Sequence, residues 1–355
     1  MTELIELTGN AFQRGAGQAA AGPEATEALR TLIGGRLEAG RPLLARPEAA
    51  AFLMRLEAYL GENDPDGLAE LDGIATAFGI PRGDLFAFLH LAVLGDTFHG
   101  EGCSAWAVSH PQFGALVGKN RDVRGDTHRL QRLFRQSDPA WGGRTVTCVG
   151  SLGAPAVYSS GINSDGLALV DTQIHTSDHG VGILRYFLMT RLLARAATVA
   201  ETLDEIASLA HAGGGSLVLA DRGGALAAVE LGHSTLAVER GGGWVARTNH
   251  FVSAELAPAN LRVLSDAMAV SSADRLTRLR QWLGAGALGL TIDGAEAMMA
   301  THDGPDGAGL CRHGEDGDAE TISGAVFATA APSLYFCPAR PCVTDWQRVD
   351  ARWPA

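Results

Sequence analysis

One cysteine stands where the chain changes character. In Gly100-Glu101-Gly102-Cys103-Ser104-Ala105-Trp106 a helix-like first hundred residues give way to short apolar runs of strand length. Two readings of Cys103 stand at this level. A free cysteine after glycine at a strand start is commonly just a small buried hydrophobe. Alternatively, the chain cuts itself at Gly102–Cys103: the thiol attacks the Gly102 carbonyl, the amide shifts to a thioester, and water releases a new chain end. Glycine favours that attack, having no side chain to block it and tolerating unusual backbone angles. The product would carry nucleophile and base on one residue, because a free α-amine has a pKa near 8 and can take the thiol proton at neutral pH.

Two polar groups fit that chemistry. Gly118-Lys119-Asn120-Arg121-Asp122 ends the strand after Cys103. If the two strands form a hairpin, the register returns Asp122 to Cys103, where a carboxylate would hold the new ammonium or orient the thiol; otherwise the stretch is an ordinary polar turn. Far along the chain, Thr248-Asn249-His250-Phe251 follows another strand-like run. The Asn249 amide can donate to a developing oxyanion, a contact whose removal typically costs about 3–4 kcal/mol. Asn is equally at home in a plain turn.

The elements that must position these groups are legible in outline. After a strand-like Leu4–Leu7, Leu53, Leu56, Leu60, Leu68, Leu71 and Phe78 recur at helical spacing, interrupted by a capping Asn63-Asp64-Pro65, and a last leader helix runs from about Asp84 to Phe98. Strand-length runs follow at Ala105–Val108, Ala115–Val117, Thr145–Val149 and Leu167–Val170. Helices are expected over Ile183–Ala197 and Thr198–Ala210, then strands at Ser216–Ala220, Ala225–Leu231, Thr235–Val238 and Gly243–Ala246. Helices return near Ala273–Leu283 and Ala295–Met299, and a hairpin, Thr321–Thr329 with Ser333–Cys337, closes the fold. Strands, helices, strands, helices imply two stacked antiparallel sheets with helices outside, a layered α+β architecture. The Gly213–Gly215 and Gly241–Gly243 triplets lack the lysine and context of a phosphate loop and read as turns.

Composition narrows the class. The 355 residues carry 28 Lys+Arg against 40 Asp+Glu, a net charge of −12, with 46% apolar residues. Such acidity argues against nucleic acid and anionic membranes as partners, and the apolar fraction excludes a disordered chain. No signal peptide or membrane span is visible, and five sparse cysteines suit a reducing compartment, so a cytoplasmic protein is expected.

Taken in order, several stretches resemble the C45 peptidase family, the acyl-coenzyme A:6-aminopenicillanate acyltransferase group of N-terminal nucleophile (Ntn) hydrolases. They are Gly9-Asn10-Ala11-Phe12-Gln13-Arg14-Gly15, Gly102-Cys103-Ser104-Ala105, Gly118-Lys119-Asn120-Arg121-Asp122 and Gly161-Ile162-Asn163-Ser164-Asp165-Gly166-Leu167. Thr248-Asn249-His250-Phe251, Ser272-Ala273-Asp274-Arg275 and Cys311-Arg312-His313 complete the set. The resemblance implies a four-layer αββα sandwich, with residues 1–102 as a helical leader that becomes the α chain and 103–355 as the catalytic β chain of one intertwined unit. It implies self-cleavage between Gly102 and Cys103, then amide hydrolysis or acyl transfer on a small N-acyl amide. Carried over, Cys103 is the nucleophile, Asp122 the carboxylate partner and Asn249 the oxyanion donor. Asn163, Lys119, Arg121, His250, Arg275 and Arg312 are candidates to line the site. No cofactor is implied; acyl-CoA would be a substrate if transfer is the reaction, and while the net negative charge disfavours such a polyanionic donor, a local basic patch of Arg129, Arg132 and Arg135 would offset it.

Other readings compete. His250 can serve a papain-like Cys/His/Asn site with Cys103 and Asn249 without self-cleavage, and a non-catalytic binding protein on an Ntn scaffold is a third class. His302, Asp303, Asp306, Cys311 and His313 match no common zinc spacing, so a solvated loop and no metal are expected there. Cys337 and Cys342 read as core or chance placements rather than a redox pair.

Overall fold

The computed structural model describes residues 3–95, 102–123, 126–261, 266–304, 307–314 and 319–351. The chain begins with β1 (Leu4–Thr8) and the helices α1 (Ala11–Gly17), α2 (Pro23–Ala39), α3 (Arg41–Leu44), α4 (Pro47–Asn63), α5 (Pro65–Phe78) and α6 (Arg82–His90). Six strands, β2 (Ser104–His110), β3 (Gly114–Val123), β4 (Gln131–Ser137), β5 (Thr145–Ser151), β6 (Ser160–Asn163) and β7 (Ala168–Gln173), lead into α7 (Arg185–Arg195) and α8 (Val199–Ala207). Then come β8 (Gly215–Ala220), β9 (Leu226–Leu231), β10 (Leu236–Arg240), β11 (Trp244–Arg247), α9 (Asp266–Gly286), α10 (Ile292–Met299), β12 (Glu320–Ala328), β13 (Ser333–Cys337) and β14 (Gln347–Asp350).

The strands form an eight-stranded sheet in the order β1-β4-β5-β6-β7-β8-β9-β10 and a six-stranded sheet in the order β11-β2-β3-β12-β13-β14. Alternation along β2 and β3 explains how they stack. Ala105, Ala107, Ala115 and Val117 point into a core shared with Val170, Val218, Ala220 and Ala228 of the larger sheet, while Trp106, Val108 and Leu116 pack on α9 and α10. The outer face of the larger sheet is covered by α2 and α4–α8 through Phe134, Val146, Leu169, Leu219 and Val229. The result is a four-layer αββα sandwich, its inter-sheet layer lined largely by alanine and valine, which suits an aromatic content of only 6%.

The leader is built into this sandwich rather than laid on it. β1 adds to the sheet edge parallel to β4, an exception to the expected antiparallel pairing. Asn10 caps α1 by accepting from the Gln13 N–H while the Gln13 side chain returns to the Asn10 N–H, a reciprocal capping box. The buried Gln18 amide donates to the Ala154 carbonyl and accepts from the Gly153 N–H, and buried Glu70 accepts from the Ala156 N–H. The last leader helix is shorter than its apolar pattern suggests: α6 ends at His90, a 3-10 turn covers Ala92–Leu94, and 96–98 lie outside the described residues. Nor does the hairpin end the fold, since β14 adds a further edge strand to β13. The short β6 and the Arg-rich β4 also fall outside the strand runs read from apolar content, because both are buried in mid-sheet and stabilised by neighbours rather than by hydrophobicity alone.

α1 and α5 meet backbone to backbone. A Cβ on Gly15 would stand 2.0 Å from the Glu70 carbonyl oxygen and one on Gly73 2.0 Å from that of Phe12, whereas one on Gly83 in α6 would meet nothing within 4 Å. Gly15→Ala should therefore destabilise the chain by several kcal/mol or prevent folding, while Gly83→Ala should be neutral or stabilising by about 0.4–1 kcal/mol in denaturant titration. Equal effects of the two substitutions would show that α1 does not dock as described.

Candidate active site

The junction between leader and sandwich is held by strand register. Ser104 of β2 lies opposite Asn120 of β3, and the pairing continues one step outward, the Gly102 N–H donating to the Asp122 carbonyl at 3.2 Å. The hairpin thus returns Asp122 to the Gly102–Cys103 junction. Gly118 is required in this hairpin because the Trp106 ring lies across it: a Cβ there would stand 2.2 Å from the indole. Cys103 itself is fully buried.

Alternation on β3 divides its polar residues. Asn120 and Asp122 face the α9–α10 side, where the Asn120 amide donates to the Met299 and Leu310 carbonyls. Lys119 and Arg121 face the opposite sheet. Buried Lys119 pairs with Asp171 of β7, whose other oxygen accepts from Arg185 Nε at 2.7 Å. Burial pushes the Asp171 carboxyl upward, but the two cations overcome it and hold it below the ordinary carboxylate range. Arg121 donates to the Gln131 side chain and lies over the Tyr158 ring at 5.3 Å. It is an inter-sheet cation stacked on an aromatic face.

Asn249 arrives from across the smaller sheet. β11 pairs with β2, so the turn after Arg247 opens beside Ala105. Buried Glu230 pins this turn, accepting from the Val252 and Ser253 N–H groups and pairing with Arg247, and Asn260 clasps Phe251 through both its amide groups. From α9, Ser272 accepts the Asn249 N–H at 2.9 Å and contacts His250 Nδ1 at 2.7 Å. One turn further, Arg275 donates through Nη1 to the Cys103 carbonyl at 2.6 Å and Ser104 Oγ at 2.9 Å, and through Nη2 to Asn249 Oδ1 at 3.0 Å. This fork fixes which way the Asn249 amide faces. Asn249 Nδ2 donates to the Gln173 carbonyl at 2.9 Å, leaving its second N–H for another acceptor.

Asp122 is the electrostatically unusual group. Thr321 donates to its Oδ1 at 2.7 Å, but among the described residues the buried Oδ2 has no hydrogen-bond partner. Burial raises its pKa from 3.8 to about 6 despite the pull of Arg275, Thr321, Arg312 and Lys119. Oδ2 faces the junction: a Cβ on Gly102 would lie 3.2 Å from it and 2.9 Å from Arg312 Nη1. Burial also lowers the Arg275 pKa to about 10, and burial together with nearby Arg275 lowers that of His250.

Of the residues singled out from sequence, Cys103, Asp122, Asn249, Arg275 and Arg312 therefore converge, with Lys119 and Arg121 on the inter-sheet side of the same strand. Asn163 does not belong with them. Its amide donates to the Leu193 and Ala196 carbonyls and its oxygen accepts from the Asp165 and Leu167 N–H groups, so it is a turn-former tying β6–β7 to the end of α7. The expected basic patch is also dispersed: Arg135 is buried against Glu6 and the Asp350 carbonyl, while Arg132 bonds the Arg129 and Gln131 carbonyls. Sequence reading passed over Glu230, Gln173 and Ser272, whose roles depend on contacts 20 or more residues away. Only Ser272 carried a signal, three residues before Arg275 in one motif.

The family described as acyl-coenzyme A:6-aminopenicillanic acid acyl-transferase matches residues 110–342. No curated protein matches this sequence. Among solved structures, a variant of conjugated bile acid hydrolase from Clostridium perfringens is similar with a TM-score of 0.47 and 13% identity, covering 70% of this chain and 92% of that one. Penicillin V acylase from Agrobacterium tumefaciens gives a TM-score of 0.44 and 13% identity over 70% of this chain and 86% of that one. Likeness at that level says nothing of substrate. The family match takes in Lys119–Asp122 of β3, Asn249 in the turn after β11 and Arg275 of α9, and makes this chain a member of the acyl-coenzyme A:6-aminopenicillanic acid acyl-transferase family.

Proposed function

We propose that this chain is a self-processing amide hydrolase or acyltransferase whose nucleophile is the N-terminal cysteine produced at Gly102–Cys103, acting on a small N-acyl amide. The observation that carries the reading is the buried, unpartnered Asp122 Oδ2 facing Gly102, with Arg275 joining the Cys103 carbonyl to Asn249. In the first step Cys103 Sγ attacks the Gly102 carbonyl carbon. The thiol proton passes to the Cys103 nitrogen, the C–N bond breaks, and a thioester forms. Water then releases the Gly102 carboxylate and restores the thiol.

Departure of Gly102 leaves the new amine beside Asp122, where the ammonium form supplies the partner that Oδ2 lacks. In turnover the neutral amine takes the thiol proton as Sγ attacks the substrate carbonyl. The free N–H of the Asn249 amide donates to the tetrahedral oxyanion, Arg275 holding that amide in orientation. The amine then protonates the leaving nitrogen. The acyl-thioester passes to water in a hydrolase or to an amine in a transferase, the chemistry for which the family is named, with acyl-CoA as donor in that case. Beside Gln173, leader residues Leu89 and Val93 with Ile174, His179, Leu184 and Arg185 line a cavity of about 20 Å³, room for a single water-sized group. A cytoplasmic site of action belongs to the same proposal and rests on the sparse cysteines, none of which forms a disulfide among the described residues.

Purified protein should separate on denaturing gels into fragments of about 11 and about 26 kDa that co-elute under native conditions, while Cys103→Ala remains one chain of 37.0 kDa. Activity from a chain still joined at Gly102–Cys103 would remove the N-terminal base from the mechanism. Asn249→Ala should still be cleaved but lose about a hundred- to a thousandfold in kcat toward whichever N-acyl amide the enzyme turns over, whereas His250→Gln should lose far less. The reverse ranking would favour the papain-like arrangement.

The uncleaved state also has a pH signature. Because the folded Asp122 pKa of about 6 exceeds its ordinary 3.8, the native Cys103→Ala chain keeps a proton that the unfolded chain releases. This contribution is fully present below pH 3.8, is lost as pH rises through about 6, and amounts to about 3 kcal/mol. Adding Asp122→Asn to Cys103→Ala should therefore raise stability at pH 7.5 but not at pH 4, as read by urea melts at both pH values. A gain independent of pH would mean that Asp122 is not a strained carboxylate before cleavage.

A further inference from the structure

The loop after α10 and the turn after β13 bring four metal-ligand side chains to one point. Among the described residues, the nitrogen or sulfur atoms that His302, Cys311, His313 and Cys342 can offer all lie within 4.8 Å of one another. Cys311 Sγ and Cys342 Sγ are 3.5 Å apart, His302 Nε2 and His313 Nε2 3.0 Å, and Cys342 Sγ and His313 Nε2 3.4 Å. A tetrahedral zinc with Zn–S near 2.3 Å and Zn–N near 2.0–2.1 Å requires ligand–ligand edges of about 3.3–3.8 Å. The three short edges fall within or just below that range, and the widest separation of up to 4.8 Å would have to close by about 1 Å on binding.

From this geometry we propose that the chain binds one Zn²⁺ through His302, Cys311, His313 and Cys342 in a closed, structural Cys2His2 site. The spacing concealed it. His302 and the Cys311-x-His313 pair sit on one loop, but the fourth ligand comes from beyond the β12–β13 hairpin, and it is Cys311, not Cys337, that Cys342 faces. Cys337 is set apart, its thiol directed at the Ala339 and Thr344 carbonyls. Binding is balanced by loss of two protons: two thiols and two neutral imidazoles take up Zn²⁺, and both thiol protons go to solvent. Soft sulfur paired with imidazole selects zinc over magnesium or calcium, and four protein ligands leave no open position for substrate.

The site's place in the fold gives it a task. Arg312 lies between two of the ligands. Its N–H donates to Thr321 Oγ1, the same hydroxyl that donates to Asp122, and its guanidinium reaches Ser271 and the space over Gly102. The carbonyl before Cys311 receives the Asn120 amide. A metal clamp between this loop and Cys342 therefore fixes Arg312 and Thr321 against Asp122. It makes the zinc ligands positioning residues for the junction, although metal binding itself does not rest on the catalytic reading.

The test is elemental analysis and cobalt exchange on tag-free, full-length protein purified with reductant and without chelator. About one zinc per chain is expected. Replacement by Co²⁺ should give the visible bands of a tetrahedral site with thiolate-to-cobalt charge transfer. Cys342→Ser and His313→Asn should lose both, and Cys337→Ser should keep them. Wild-type protein that carries no zinc and shows no thiolate–cobalt spectrum overturns the proposal whether or not the variants fold, as does a Cys311–Cys342 disulfide found by peptide mapping of the reductant-treated protein. Retention of full metal content by Cys342→Ser overturns the ligand set.

Discussion

A single buried guanidinium connects the parts of this site. Arg275 is wholly removed from water, yet it donates to the first backbone carbonyl of the sandwich, to the neighbouring serine and to the Asn249 amide. Burying such a charge without partners would cost many kcal/mol; with several acceptors and the field of Asp122 the position is tolerable, and it becomes specific. The fork matches three oxygens at fixed directions, so β2, the turn after β11 and α9 can meet in only one arrangement. A lysine could carry the charge but not this geometry.

The surrounding charges follow from that choice. Lys119, Arg275 and Arg312 place positive potential around Asp122, but dry surroundings outweigh it and keep the carboxyl pKa high. An intact chain thus holds an uncomfortable acceptor beside the bond that the proposed reaction breaks. Stored electrostatic strain of this kind is common where a site must be assembled before it can work, and the ammonium of a new chain end would relieve it. On the other side of β3, Lys119, Asp171 of β7 and Arg185 of α7 satisfy one another, so the strained carboxylate of β3 stands near a settled one on the facing sheet.

The leader contributes to this arrangement through backbone proximity rather than bulk. Gly15 and Gly73 allow α1 and α5 to touch main chain to main chain, and Gln18 and Glu70 reach from them to the loop between β5 and β6. Removing the peptide bond at the junction would not remove these contacts. The leader helices would therefore stay docked on the sandwich if the chain were cut there as proposed.

Local patterns in the sequence determined a good deal. The alternation of β2 and β3 fixed a hairpin register that places Asp122 opposite Gly102, and the periodic leucines marked the leader helices, because both signals involve neighbours a few residues apart. Motif order also revealed Cys103, Asp122 and Asn249 as one set. Tertiary structure alone decided the rest. Asn163 has the right residue type and motif, but four hydrogen bonds to nearby backbone spend it on a turn, and Arg135 has the charge for a basic patch but is buried against Glu6. Arg275 reaches Cys103 across 172 positions of chain, and Cys342 meets Cys311 only after the β12–β13 hairpin has folded back. Contacts of that span leave no periodicity in the sequence, since packing, not spacing, brings their partners together.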